Sequence, residues 1–142
     1  MMGRTRFLIV DDSQPVRQGL RTILQRNPEW EICGEAADGL SALEIFKSSL
    51  PDIVILDFQM PGIDGIETAR RMSEIAPSVP ILLFTQHASP DLERYAQSVG
   101  IRSVVSKTNA FQMVAMIEML IGSGNSQPRN GATNTPGPSG MP

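Results

Sequence analysis

Ile53-Val54-Ile55-Leu56-Asp57 sets four apolar residues, three of them β-branched, directly before a carboxylate. A run of that length with no polar alternation reads as a strand buried on both faces of a parallel sheet. Phe58-Gln59-Met60-Pro61-Gly62 follows and can only be a loop. In open α/β sheets, ligands and reactive groups gather just past the carboxyl ends of the strands. Asp57 stands at such an end.

Working outward, the same pattern recurs. Phe7 to Val10 is a short buried strand that ends at Asp11-Asp12. Ser13 can cap the helix that follows, and Pro15 suits its first turn. Val16, Leu20, Ile23 and Leu24 repeat at helical spacing, with Arg17, Gln18, Arg21 and Gln25 on the outer side. Trp30 to Ala37 reads as an edge strand, and Asp38-Gly39 as a turn. Leu40, Leu43 and Phe46 then supply the inner face of a second helix. Past the central strand, Ile66, Ala69, Met72 and Ile75 do the same for a third. Ile81 to Phe84 is another apolar strand, ending at Thr85. Leu92, Tyr95, Ala96 and Val99 carry a fourth helix to a stop at Gly100. Ser103 to Ser106 is a last short strand ending at Lys107, and Thr108 or Asn109 caps a final helix to Ile121. Five strands alternating with five helices predict an α/β fold, a doubly wound five-stranded parallel sheet covered on both faces.

The chain of 142 residues suits one domain, predicted over 1–121, followed by an appendage. From 122 to 142 Gly, Pro, Ser, Asn and Thr dominate and apolar periodicity is lost, which predicts a disordered tail. A net charge of −3 offers no basic surface for nucleic acid or membrane. The apolar run near the start is too short for a signal peptide, and no stretch is long enough to span a bilayer. A cytoplasmic protein is expected. Cys33 is the only cysteine, so it is expected as a small core residue rather than part of a disulfide or metal site.

In a parallel sheet the strand ends collect on one edge. Asp11-Asp12, Asp57, Thr85 and Lys107 are therefore expected around one pocket. Converging carboxylates raise each other's pKa, unless a hard divalent cation sits among them. Mg²⁺ suits such a site because it takes a few carboxylates and keeps water and phosphate oxygens as its remaining ligands. A carboxylate so placed can attack phosphorus, and the metal would neutralise charge on the transferring group. The Lys107 ammonium and the Thr85 hydroxyl could then bind phosphoryl oxygens.

Over residues 5 to about 121 the chain resembles the receiver domain of two-component response regulators. The matching text is Leu8-Ile9-Val10-Asp11-Asp12, Ile55 through Gly65, Phe84-Thr85 and Val105-Ser106-Lys107. The resemblance implies a flavodoxin-like strand order of 2-1-3-4-5. It implies that Asp57 is the phosphoacceptor for a sensor histidine kinase or phosphotransfer protein. Asp12 would ligate Mg²⁺ directly, Asp11 largely through water, and the Gln59 main-chain carbonyl would be the third protein ligand. Lys107 would pair with the phosphoryl group and Thr85 would be the switch hydroxyl. The residues two past Asp57 and two past Thr85, here Gln59 and His87, would tune access of the hydrolytic water. The chain departs from the family at Gln86, where a small residue is usual, at Val104 in place of the switch aromatic, and at Thr108 in place of proline.

The expected function is a phosphorylation-dependent switch that is not itself a turnover enzyme. The alternative is a receiver-fold interaction module that is not phosphorylated in use. A small-molecule phosphohydrolase lacks a substrate-binding insertion. No helix-turn-helix pattern follows Ile121, so the effector is expected to be a protein partner, unless the chain is an excerpt of a longer one. The last helix offers a candidate surface. By comparison with the family, Met113, Met116 and Leu120 are expected to face the sheet, leaving Val114, Ile117 and Ile121 as a second stripe for a homodimer or partner.

Overall fold

The computed structural model describes residues 3–126. Its elements alternate as the sequence pattern predicts: β1 (Thr5–Val10), α1 (Gln14–Leu24), β2 (Trp30–Ala36), α2 (Gly39–Ser49), β3 (Ile53–Leu56), α3 (Gly65–Ile75), β4 (Ile81–Thr85), α4 (Pro90–Ser98), β5 (Ser103–Ser106) and α5 (Ala110–Ser126). The strands form one sheet in the order β2-β1-β3-β4-β5. Every pairing is parallel. This is the flavodoxin-like order expected above.

Alternation along each strand divides the core in two. Leu8, Val10, Val54, Leu56, Ile81 and Leu83 point to the face covered by α2, α3 and α4. Phe7, Ile9, Ile53, Ile55, Leu82 and Phe84 point to the face covered by α1 and α5. All four β3 side chains are buried, and each contributes roughly 1.5–3 kcal/mol by leaving water. That is why the central strand carries no polar residue.

The helix starts are fixed by local chemistry. The side chains of Ser13, Asp38, Asp64 and Ser89 each accept a hydrogen bond from a first-turn N–H. Asn109 does the same for α5, accepting from the Gln112 N–H at 3.0 Å. Each such bond satisfies one of the donors a helix start leaves open. Every α-helix therefore begins just past a strand end, on the edge where the polar residues collect.

Several expectations are corrected. Ile117 is fully buried with Met113, so Val114, Ile117 and Ile121 are not a free second stripe. At 3.6 residues per turn, Met116, Leu120, Met113, Ile117, Ile121 and Val114 span one arc of roughly 160° centred near Ile117. Val114, Met116, Leu120 and Ile121 are its half-buried flanks. The exposed large apolar residues of α5, among those described, are Phe111 and Met119. Leu40, Ile75 and Tyr95, expected to face inward, are also exposed. Each lies at the margin of its helical stripe, beyond the reach of the sheet. Cys33 is only half-buried, because β2 is an edge strand whose register with β1 slips between Phe7 and Leu8. Finally, α5 continues past Ile121 to Ser126. Gly122 and Gly124 weaken a helix without ending it, and no proline occurs between Ile121 and Pro128. The part of the expected tail from 127 to 142 lies outside the described residues.

Candidate functional site

Main-chain hydrogen bonds carry the sheet past its last strand residues and set the acidic groups side by side. The Asp11 N–H donates to the Ala36 carbonyl at 3.0 Å, the Asp57 N–H to Val10 at 2.9 Å, and the Lys107 N–H to Thr85 at 2.8 Å. Asp11, Asp57, Thr85 and Lys107 are thus neighbours across β1, β3, β4 and β5. Carboxylate oxygens of Asp11, Asp12 and Asp57 all lie within 4.8 Å of one another. Among the described residues this is the one such cluster of three metal-ligating side chains.

Asp11 and Asp57 are almost completely buried, whereas Asp12 faces solvent. Lys107 reaches over the cluster, with its Nζ 2.7 Å from Asp11 Oδ2 and 3.3 Å from Asp57 Oδ1. Asp11 Oδ1 accepts from the Ser13 N–H at 2.9 Å, which closes the β1–α1 turn. Burial pushes the Asp57 carboxyl above its ordinary range and the Asp11 charge pushes it further. Lys107 and the Gln59 N–H pull the other way without cancelling the rise. Burial alone would lower the Lys107 pKa, but the hydrogen bond and charge of Asp11, then those of Asp57, outweigh it and raise it. One ammonium thus pairs with two of the three clustered carboxylates. The donor set fits a hard divalent cation, which takes oxygen ligands and relieves their mutual repulsion.

Thr85 ends β4 with its side chain buried beside this group. Gln59, Gln86 and His87 are exposed at the rim. Val104 is half-buried against the core beneath α3 and α4. A shallow recess lined by Asp12, Ala37, Asp38, Leu40, Pro61 and Gly62 opens next to the carboxylates.

The family model for the response regulator receiver domain matches residues 7–118. The chain belongs to that family. Among solved receiver structures, a LuxR-family two-component response regulator from Aurantimonas sp. SI85-9A1 is 30% identical with a TM-score of 0.78, covering 92% of this chain and 90% of that one. The response regulator domain of Thermotoga maritima CheB is 27% identical with a TM-score of 0.76, covering 88% and 99%. Among curated relatives, the transcriptional activator protein ExaE of Pseudomonas putida is 37% identical over 104 residues, 73% of this chain and 49% of that protein. A protein-glutamate methylesterase/protein-glutamine glutaminase of Pyrococcus horikoshii is 40% identical over 86 residues, 60% of this chain and 23% of that protein. The chain therefore spans between about a quarter and a half of the length of these curated relatives.

Two residues of the receiver site escaped the sequence reading. Gly65 reads in the sequence only as part of the matching text, yet a Cβ there would lie 2.1 Å from the Asp57 main-chain oxygen. Arg17 was placed on the outer side of α1. Its Nη1 instead donates to the Asp11 main-chain oxygen at 2.6 Å. The available signal was a cation in the first turn of a helix, where the dipole disfavours positive charge.

Proposed function

We propose that this receiver domain is a phosphorylation-controlled signalling switch. Asp57 accepts a phosphoryl group from the phosphohistidine of a sensor histidine kinase or phosphotransfer protein. The observation that carries this reading is the Lys107 ammonium lying between the Asp11 and Asp57 carboxylates. It presents a cation where phosphoryl oxygens would arrive.

Mg²⁺ would be held by Asp11, Asp12, Asp57 and the Gln59 main-chain carbonyl, where it would supply the positive charge that offsets charge on the transferring group. The rest is the work of the chain's own residues. The Asp57 oxygen that Lys107 does not bind attacks phosphorus as the phosphorus–nitrogen bond to the donor breaks. The donor imidazole leaves neutral, its other nitrogen carrying a proton. Lys107 and Thr85 then take phosphoryl oxygens, and Thr85 couples occupancy of the site to β4 and the loop before α4. Attack by water on the same phosphorus resets the switch. The recess beside Asp12 and Leu40 gives the donor an approach to Asp57. The chain so read is a phosphoacceptor that assists its own labelling and acts through protein partners. Its place of action is the cytoplasm. Among the described residues no helix is long and apolar enough to cross a membrane.

Val104 favours a second reading, an interaction module of receiver fold that is not phosphorylated in use, since no aromatic ring stands there to report on Thr85. One experiment separates the two. A small acyl-phosphate donor with Mg²⁺ is expected to add one phosphoryl mass to the wild type and none to Asp57→Asn. Equal labelling of both by intact-mass spectrometry places the acceptor elsewhere. No labelling of the wild type, even by a kinase, selects the interaction module.

A further inference from the structure

Asp11 is held at four points, and three of them are generic to its position. Its N–H donates along the sheet to Ala36. Its two carboxylate oxygens meet the Ser13 N–H and the Lys107 ammonium. The fourth is different: its main-chain carbonyl accepts from Arg17 Nη1 at 2.6 Å. That carbonyl belongs to the peptide joining Asp11 to Asp12, so the bond fixes the plane from which both aspartates project.

Arg17 is itself held. Its Nε donates to Glu35 Oε1 at 3.3 Å, with the Arg17 and Glu35 side chains only 18% and 23% exposed. Arg21, one turn further along α1, pairs with the other Glu35 oxygen. Glu35 sits in β2 directly opposite Ile9 of β1. The line Arg21–Glu35–Arg17–Asp11 carbonyl therefore ties α1 and the edge strand to the turn that carries the two aspartates. A cation in the first turn of α1 is disfavoured by the helix dipole, and Glu35 and the Asp11 carbonyl offset that cost.

We infer that Arg17 is a positioning residue for the divalent-cation site: it orients the Asp11–Asp12 peptide so that both carboxylates converge with Asp57, and Glu35 holds its guanidinium for that task. The inference rests on the reading that these three aspartates take a divalent cation. Its sign is diagnostic. Deleting a positive charge close to a cation site should, by Coulomb's law alone, tighten cation binding. Loss of positioning weakens it, and partners of this kind are typically worth about 10–100-fold in metal affinity. A purely structural role would lower thermal stability and leave the affinity of the folded protein unchanged.

The test is calorimetric titration of the full chain with Mg²⁺ alone, with circular dichroism in EDTA to establish that each variant is folded. Arg17→Met, which keeps bulk without charge or donors, is expected to raise the Mg²⁺ dissociation constant at least about fivefold, toward the range for such partners. Arg17→Lys, which keeps one donor and the charge, is expected to recover part of that loss. A folded Arg17→Met that binds within twofold of wild type, or more tightly, overturns the inference. If Arg17→Met does not fold, Glu35→Gln decides. A weaker Mg²⁺ affinity there supports positioning, and an unchanged one overturns it. A wild type that takes up no Mg²⁺ overturns the cation reading itself and the role of Arg17 with it.

Discussion

Gly65 stands against Asp57 so closely that a Cβ on the glycine would lie 2.1 Å from the Asp57 main-chain oxygen. The Gly65 N–H also donates to the Phe58 carbonyl at 2.8 Å, closing the loop that follows Asp57. The glycine is required for close approach, since α3 starts at this point and the contact is with backbone that cannot rotate away. Gly65→Ala is therefore expected to cost roughly 1–3 kcal/mol, the range for forced overpacking. It should also slow labelling of Asp57, because the strain falls on that residue. Urea unfolding and phosphorylation time courses check both. A variant within about 0.5 kcal/mol of wild type that labels at the same rate contradicts the prediction.

Why Gly65 was invisible and Asp57 was not is a matter of range. A strand such as Ile53–Leu56 announces itself by its own composition, and a parallel sheet then dictates that Asp11, Asp57, Thr85 and Lys107 share an edge. The fold and the acidic cluster were legible on that ground. The Asp57–Gly65 contact and the Arg17 bond to Asp11 depend on how a loop and a helix turn close in space, which no periodicity records. The last helix differs for another reason. Its sequence reads as two apolar stripes, since spacing alone does not say how deeply a helix beds into a sheet. In the structure α5 sinks one wide arc against the sheet, with Met113 and Ile117 at its centre.

That burial fixes the next prediction. Ile117 is 0% exposed, while Phe111 on the same helix is 91% exposed. Ile117→Ala is expected to destabilise the domain by about 2–5 kcal/mol through the cavity it leaves. Phe111→Ala should stay within about 0.5 kcal/mol. Denaturant midpoints with unchanged slopes would establish both. Equal losses at the two positions would place α5 differently.

The pH dependence has a clear local source on α3. Hydrogen bonds from Arg70, then Arg71, hold the Glu67 carboxyl at about 2, below its ordinary 4.5. A depressed folded-state pKa means the unfolded chain binds the extra proton first. The stabilisation is then complete above pH 4.5 and is lost as pH falls toward about 2. Glu67→Gln should flatten the stability profile across that window and nowhere else. Because the group is at the surface, added salt should shrink the difference. A profile that Glu67→Gln leaves unchanged between those values would show that the arginines do not hold it in solution.

Gln59 and His87 flank the site from the loops after β3 and β4, and both are exposed. Neither packs in the core, so replacing them should leave the fold intact. In the proposed switch, both would flank the path of the water that attacks phosphorus on Asp57. Gln59→Ala and His87→Ala are expected to change the rate of phosphoryl loss while leaving uptake from an acyl-phosphate donor near wild type. Decay curves followed by mass spectrometry give the answer. Identical decay in both variants rules out a gating role for these side chains.

The carboxylate cluster itself sets stability against function. Without a cation, Asp57 sits buried beside Asp11, and one ammonium at 3.3 Å does not fully offset the cost of its charge. Asparagine has the same shape and no charge. In EDTA at neutral pH, Asp57→Asn is therefore expected to melt above the wild type, by an amount on the order of a few °C for a domain of this size. Mg²⁺ should reverse part of that order. At a tenfold excess over its dissociation constant a bound ion adds about 1.4 kcal/mol to the wild type, whereas the variant has lost a ligand and should gain less. Thermal melts of both proteins, with EDTA and across a Mg²⁺ series, read the two effects on one axis. A wild type that melts above Asp57→Asn in EDTA would mean that Lys107 fully compensates the cluster. Parallel Mg²⁺ responses would mean that Asp57 is not a ligand.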